Sequence, residues 1–518
     1  MAINIKPKKK NEASFRFYHS DALSILRTLE DNSIDSICSD PPYGLGQAPD
    51  AVAMLKGWLS PMARYTPEAS GGFCGASWDN FVPQPNLWKE VLRVLKPGGY
   101  IACFAGTRTV DLMGLSLRIA GFEPVDLISW HYGQGFPKSM SISKAFDKDL
   151  GLEREVVGVK PGHEEFVGRT TTGHLEFKDA TEGFDRPWMH DEEKREAYHM
   201  ETAPASKEAK KWEGYGTQIK PATEPILIMR KPLEGTYVQN IRKWGVGALN
   251  IDTSRVPLAS AGEDPRLGGK GDWGTEGMAK TCYGEFAGTR NSSSTLGRYP
   301  SNVLVSHTEE CVQAGTYKVK VAGGGYSERT ELGVEEYWGE GGGGFKLGRS
   351  TVSYGDAEGN ETVALWNCHP ECPTLQFPEA KGQQGSVKGT EPSGKTGNCY
   401  GAFEGRTPFE KRDENSVTAA RFFYQPKASK TDRNRYCSEL TNNHTTVKPI
   451  ALMEYLVALI TPEGGTTLDP FTGSGTTGLA ALLKGFNFIG TERDANYYTL
   501  SKERLTNCKA SLKDNDEN

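Results

Sequence analysis

The sequence predicts an α/β protein whose mainly parallel sheet is covered by helices on both faces. Three observations predict it. Strand and helix patterns alternate at both ends of the chain, glycine and proline punctuate the junctions, and two strands end in an aspartate followed by a stiff or glycine-rich turn. At 518 residues the chain exceeds what one hydrophobic core usually organises, so two domains, or one core with large insertions, are expected.

The elements follow in order. Phe15 to His19 reads as a strand, and Ala22 to Leu29 places Leu23, Leu26 and Leu29 at helical spacing. Ile34 to Cys38 is a short apolar strand that ends at Asp40. Leu87 to Leu95 is amphipathic, and Pro97-Gly98-Gly99 should stop it before a strand from Tyr100 to Ala105. Val110 to Ala120 reads as a helix stopped by Gly121, with a strand near Val125 to Trp130 and another at Glu224 to Arg230. Regular structure resumes near Ala419 to Tyr424, and Pro449 opens a helix to Ile460. Strands at Thr466 to Leu468 and Phe486 to Gly490 flank a helix from Gly475 to Lys484, and a last helix covers Ala495 to Cys508.

Residues 1–137 and 419–510 thus read as two halves of one sheet, with 138–215 a polar insertion and 216–232 a strand returning to the core. Residues 233–418 are loop-rich, with low-complexity runs around 262–297, 323–348 and 381–405, and 511–518 is a polar tail. Apolar residues make up 37% of the chain, enough for a packed core at the ends but not through that centre.

A net charge of −6 does not advertise a nucleic-acid binder, yet a basic cleft can sit inside an acidic total. Lys6 and Lys8-Lys9-Lys10 read as a solvated tail. The longest apolar candidate for a membrane span, Ala451 to Ile460, is too short and carries Glu454. With ten scattered cysteines and no secretory signal, the expected setting is reducing and cytoplasmic, with the thiols mostly free.

Two motifs carry chemistry. Asp469-Pro470-Phe471-Thr472-Gly473-Ser474-Gly475 follows a strand and opens a helix at Thr476, where glycines let backbone approach a ligand closely. The next strand ends at Glu492, placed to accept from ribose hydroxyls. Asp40-Pro41-Pro42-Tyr43 puts a carboxylate at a strand end, a backbone stiffened by two prolines, and an aromatic ring close by. An exocyclic amine conjugated to a heteroaromatic ring needs such an acceptor to localise its lone pair, and a ring to hold the base flat. Each motif alone also fits a structural tight turn.

Together they resemble the motifs of the DNA amino-methyltransferase family, in the circularly permuted (beta) class of bacterial and phage members where the catalytic motif comes first. His19-Ser20-Asp21-Ala22-Leu23 with Asp31-Asn32-Ser33-Ile34-Asp35, and Leu95-Lys96-Pro97-Gly98-Gly99, are similar to family segments. So are the stretches from Trp130 to Lys138, Lys220 to Pro232 and Arg421 to Lys430. Asn443-His444-Thr445-Thr446-Val447-Lys448-Pro449 is similar to the family's Asn-His-Pro-Thr-x-Lys-Pro, with Thr445 in place of proline.

The resemblance implies a Rossmann-like methyltransferase fold, S-adenosylmethionine as methyl donor and double-stranded DNA as the partner. Asp40 and the Pro41 carbonyl would accept from the amino group of a flipped base, in a turn stiffened by Pro42, and Tyr43 would stack on it. Phe471, Gly473 and Gly475 would line the cofactor pocket with Asp469 and Thr476, Glu492 would meet the ribose, and Lys448 would lie near the methionine end. Asp21 is a candidate contact to cofactor or base. The 6-amino group of adenine is the expected target, with the 4-amino group of cytosine as the alternative. Residues 233–418 would read the target sequence, with Arg242, Lys243, Trp244 and Arg298 as candidate contacts. A glutamine methyltransferase would carry asparagine in place of Asp40 and the cofactor motif first. A catalytically silent DNA-binding protein would not need Asp40, Tyr43 and the glycine loop intact. Oligomeric state and a partner nuclease stay open.

A third constellation is His307-x3-Cys311 with Cys368-x3-Cys372. These four either hold a tetrahedral zinc that is structural, or are reduced cysteines beside a surface histidine.

Overall fold

The computed structural model describes residues 13–46, 48–66, 79–132, 139–160, 199–256, 299–308, 310–320, 360–370, 372–377, 430–444 and 446–517. Short pieces at 280–281, 284–285, 396–398, 401–403 and 423 are also described. The lysine run, Arg298, Thr445, nearly all of the three low-complexity runs, and 419–424 apart from Phe423 lie outside those residues.

One eight-stranded sheet organises the chain. Its strands are β1 Phe15–His19, β2 Ile34–Ser39, β3 Leu95–Phe104, β4 Glu123–His131, β5 Thr223–Arg230, β6 Val303–Val305, β7 Thr466–Asp469 and β8 Asn487–Glu492. Across the sheet they run β1-β8-β7-β2-β3-β5-β4-β6. Every pairing is parallel except the two made by β5, which runs against both β3 and β4. The expected mainly parallel sheet is therefore present, joined across the chain by Phe15 opposite Phe488 and Ser36 opposite Thr467.

The helices used below are α1 Ala22–Leu26, α2 Ala51–Trp58, α3 Pro85–Val94, α4 Val110–Ala120, α5 Tyr237–Trp244, α6 Ile450–Ile460, α7 Thr476–Leu483 and α8 Ala495–Glu517. They form two layers. Successive strand residues face opposite sides, and β3 shows it: Tyr100, Ala102 and Phe104 join the core containing α6 and α7, whereas Ile101 and Cys103 join the core containing Trp58, Trp88, Val91, Met113 and Leu117. All six residues of β2 are buried, as a strand covered on both faces requires. Trp88 is fully buried on α3 and still satisfies its indole N–H on the Pro83 carbonyl at 3.0 Å.

Several boundaries differ from expectation for local reasons. Helix α1 stops at Leu26 rather than Leu29, because the chain tightens into three-residue turns in which Thr28 and Leu29 bond Ile25 and Leu26. Pro97-Gly98-Gly99 does not precede β3 but lies within it: the strand begins at Leu95, its register shifts opposite Ile34 and Ser36, and Gly98 N donates to the Lys231 carbonyl. Helix α8 continues through Glu517, so the polar tail expected from 511 is helical, and Leu512 still packs on the core. The polar insertion is partly ordered, with a helix Ile142–Asp149 and strands Val156–Val159 and Met200–Thr202 paired antiparallel. Strand β6, which closes the far edge beside β4, has too short an apolar run to stand out in the sequence. Among the described residues no helix is long and apolar enough to cross a membrane.

Candidate active site

Strands β2, β7 and β8 end side by side, so the two aspartate motifs become neighbouring loops at the carboxyl ends of the parallel strands. This is where open α/β sheets bind ligands. A hydrogen bond ties them directly: the Ser39 hydroxyl donates to Asp469 Oδ1 at 2.6 Å.

On the β2 side, Asp40, Tyr43 and Lys448 meet a residue that sequence reasoning had not singled out, Glu224 near the start of β5. Lys448 Nζ lies 2.5 Å from Asp40 Oδ2 and 3.3 Å from Glu224 Oε2. The Tyr43 hydroxyl lies 2.8 Å from both Asp40 Oδ1 and Glu224 Oε2; with a single proton, it donates to one carboxylate at a time. Burial would lower the Lys448 pKa, but the carboxylates of Asp40 and Glu224 more than offset it, so the pKa is raised and the ammonium stays charged. Burial, then the same two carboxylates, push the Tyr43 phenol well above its usual range. Lys448, expected near the methionine end of the cofactor, extends to Asp40 and Glu224, with its ammonium also 5.4 Å from the centroid of the Tyr43 ring. Asp79, also missed, holds the loop beyond the motif: buried, it accepts from the backbone N–H groups of Tyr43 and Gly44 at 2.7 and 3.0 Å. Pro41 is buried and Pro42 half-buried in the same turn. Cys38, two positions before Asp40, is fully buried and its thiol is pushed up by burial, then by Asp469 and Asp40, which fits a packing residue rather than a nucleophile.

The β7 loop is built around Asp469. Its Oδ1 accepts from Ser39 and from Phe471 N at 3.0 Å, and its Oδ2 from the Thr477 hydroxyl at 2.7 Å. Burial raises its pKa to about 6 against the pull of those donors. This carboxylate therefore organises the loop rather than reaching outward. Gly473 and Gly475 have φ of +52° and +84°, and a Cβ on Gly473 would come 2.9 Å from His444 Nε2. Glu492 accepts from Gly473 N on Oε2 and Asp494 N on Oε1, both at 2.8 Å. With Arg493 N–H as a third backbone donor, the carboxylate still has acceptor capacity for a hydroxyl, so the residues fit a ligand bearing a ribose. Thr476 is buried at the first turn of α7, with its hydroxyl 3.1 Å from that of Ser474. The Phe471 ring packs edge-on against Trp88. Arg504, fully buried on α8, donates to the carbonyls of Ser474, Arg435 and Asp432 and so pins the loop from behind.

Asp21 follows β1 and is exposed; its Oδ1 caps α1 by accepting from Leu23 and Ser24 N–H groups. It sits beyond His19, which pairs with Glu492, and so reaches the same end of the sheet from the outer side. His444 packs against Tyr497 and accepts from Thr446 N on Nδ1, and burial, then Lys448, lower its pKa to about 4. Arg242, Lys243 and Trp244 lie on α5; Lys243 pairs with Glu234 at 2.5 Å. The fold also brings His307, Cys311, Cys368 and Cys372 together, their ligand atoms within 4.8 Å of one another.

A family model described as DNA methylase matches residues 34–244 and 306–503. Among curated proteins, the chain is 34% identical over 100 residues to Type II methyltransferase M.BglI of Bacillus subtilis, covering 19% of this chain and 26% of that protein. It is 40% identical over 73 residues to DNA adenine methyltransferase YhdJ of Escherichia coli (strain K12), covering 14% and 25%. It is 37% identical over 137 residues to Type II methyltransferase M.HpaI of Haemophilus parainfluenzae, covering 26% and 37%. Each match takes in well under half of the relative's own length.

Proposed function

The chain belongs to the DNA methylase family, and from that premise we propose that it transfers a methyl group from S-adenosylmethionine to the 6-amino group of adenine in double-stranded DNA. The observation that carries this reading is the cluster of Asp40, Tyr43, Glu224 and Lys448 one strand away from the glycine loop after β7. Asp40 accepts a hydrogen bond from the amine and concentrates the lone pair on nitrogen. A base inside the duplex cannot reach this carboxylate, so the target nucleotide is flipped out of the stack. Tyr43 supplies the aromatic face beside it, and its hydroxyl links Asp40 to Glu224, giving the proton lost from the methylated nitrogen a second carboxylate to rest on.

S-adenosylmethionine, when bound, supplies an electrophilic methyl carbon for a single displacement. Phe471, Gly473, Gly475, Thr476 and Glu492 would hold it, with Asp21 at the outer side. Their work is to orient donor and acceptor, which can supply much of the acceleration. Adenine is preferred on the likeness of Asp40-Pro41-Pro42-Tyr43 to adenine-directed family members, and one of the matched relatives is named as an adenine enzyme. Residues 233–418 read the target sequence in this proposal, and the enzyme acts in the cytoplasm.

The test is transfer of a labelled methyl group to unmethylated DNA, followed by digestion to nucleosides. N6-methyladenine from the wild type and none from Asp40→Ala supports the reading. N4-methylcytosine overturns the choice of base. No transfer, or transfer indifferent to the substitution, overturns the activity itself.

A further inference from the structure

Strand β6 lies at the sheet edge four strands from β2, about 19 Å away at the usual strand spacing. His307 follows it two residues on. Cys311 immediately precedes a strand Val312–Lys320, and Cys368 immediately follows its antiparallel partner Asn360–Asn367. Cys372 comes one turn later, before the short helix Pro373–Gln376. The four side chains therefore come from the end of a core strand and from both feet of a two-stranded ribbon. We infer that they bind one zinc ion, and that this ion fastens the ribbon to the core sheet.

Distances favour a metal over buried thiols alone. A tetrahedral zinc with Zn–S of about 2.3 Å and Zn–N of about 2.05 Å sets its nitrogen and sulfur ligands about 3.5 Å apart. His307 Nδ1 lies 3.5 Å from Cys368 Sγ and 3.5 Å from Cys372 Sγ. None of the three cysteines forms a disulfide, and His307, Cys311 and Cys372 are buried. The surroundings prepare the donors. Trp366 stacks on the His307 imidazole with centroids 4.0 Å apart and fixes the plane of the ring. Hydroxyls stand at two sulfurs, Thr308 Oγ1 3.1 Å from Cys311 Sγ and Thr374 Oγ1 3.0 Å from Cys372 Sγ, where they can donate to thiolates. Loading releases three thiol protons to solvent and forms three Zn–S bonds and one Zn–N bond, with no change of oxidation state. Beyond Cys311 the ribbon is mostly exposed, from Val312 to Thr316, and so has little apolar burial of its own to hold it in place.

The experiment uses the full-length protein from zinc-supplemented cells. Elemental analysis should find one zinc ion per chain, and Cys311→Ser with Cys372→Ser should lower that content at least about tenfold. Cobalt(II) exchanged into the wild type should give the intense visible bands of a tetrahedral thiolate site, a readout that needs no variant to fold. Stripping the metal should speed amide hydrogen exchange in 312–320 and 360–367 while β2, β7 and β8 keep their protection. Wild-type protein without stoichiometric zinc and without cobalt–thiolate bands overturns the site. Exchange in the ribbon that is unchanged by stripping overturns its role as a fastener.

Discussion

The ammonium of Lys448 lies 2.5 Å from the Asp40 carboxylate across 408 residues of sequence, and the same ammonium is 3.3 Å from Glu224. One buried cation thus stands between two half-buried anions, each on a different strand or strand end. Replacing it by an uncharged side chain of similar length leaves the carboxylates facing each other. Lys448→Met should lower kcat at least ~100-fold, as losing a preorganised charged partner commonly does. Single-turnover methylation by the variant and the wild type checks it.

Glu224→Gln removes one of the two anions and keeps the shape. Lys448 then serves Asp40 alone, so the fold should persist and the Tyr43 hydroxyl should bond Asp40 only. We expect kcat to fall about tenfold, with the KM for S-adenosylmethionine unchanged. An unchanged kcat, or a KM that rises in step, would place Glu224 outside the chemistry.

His444 and Asp469 give stability a pH dependence of opposite sign. The folded pKa of His444 is depressed to about 4 from 6.5, so its contribution is full above 6.5 and is lost as pH falls toward 4. Asp469 is raised to about 6 from 3.8, so its contribution grows as pH falls through that window. Each is worth at most ~3 kcal/mol. His444→Gln removes the first and keeps the second: between pH 7 and pH 5 its Tm should rise relative to that of the wild type at the same pH.

Ser39 and Thr477 each donate to the buried Asp469 carboxylate. Ser39→Ala or Thr477→Val should destabilise the fold by ~1–3 kcal/mol, since a buried charge loses a donor. Ser39→Ala should also raise the KM for S-adenosylmethionine, because it loosens the tie between the two motif loops. Urea titration and substrate kinetics on the same preparations separate the effects.

The positions of the Asp40 turn and the Asp469 loop were legible because each motif is written in contiguous residues at a strand end. Asp40, Tyr43, Phe471, Gly473, Gly475 and Glu492 stand at the end of the sheet where the alternating patterns put them. Glu224 was not legible as a site residue: it sits near the start of a strand whose neighbours are fixed only when β5 inserts between β3 and β4. Asp79 and Arg504 escaped for a related reason, since a lone carboxylate before Asn80 and an arginine on a helix read as surface residues until packing buries them. The contacts of Lys448 with Asp40 and Glu224 were not legible, because its motif fixes its position on the chain but not the direction of a long, flexible side chain. The α1 boundary and the start of β3 depended on turn geometry that apolar spacing does not encode.

The order of strands has a consequence for how the protein is made. Strand β2, which carries Asp40 at its tip, has β3 on one side, but its other neighbour is β7, drawn from residues 466–469, and β1 has no partner until β8 at 487–492. A chain leaving the ribosome therefore carries an open, apolar strand edge through most of its synthesis. Closure of the sheet is then a late event, so a product cut short before residue 466 would contain the Asp40 turn with Glu224 and Lys448 yet lack the Asp469 loop that Ser39 ties to it.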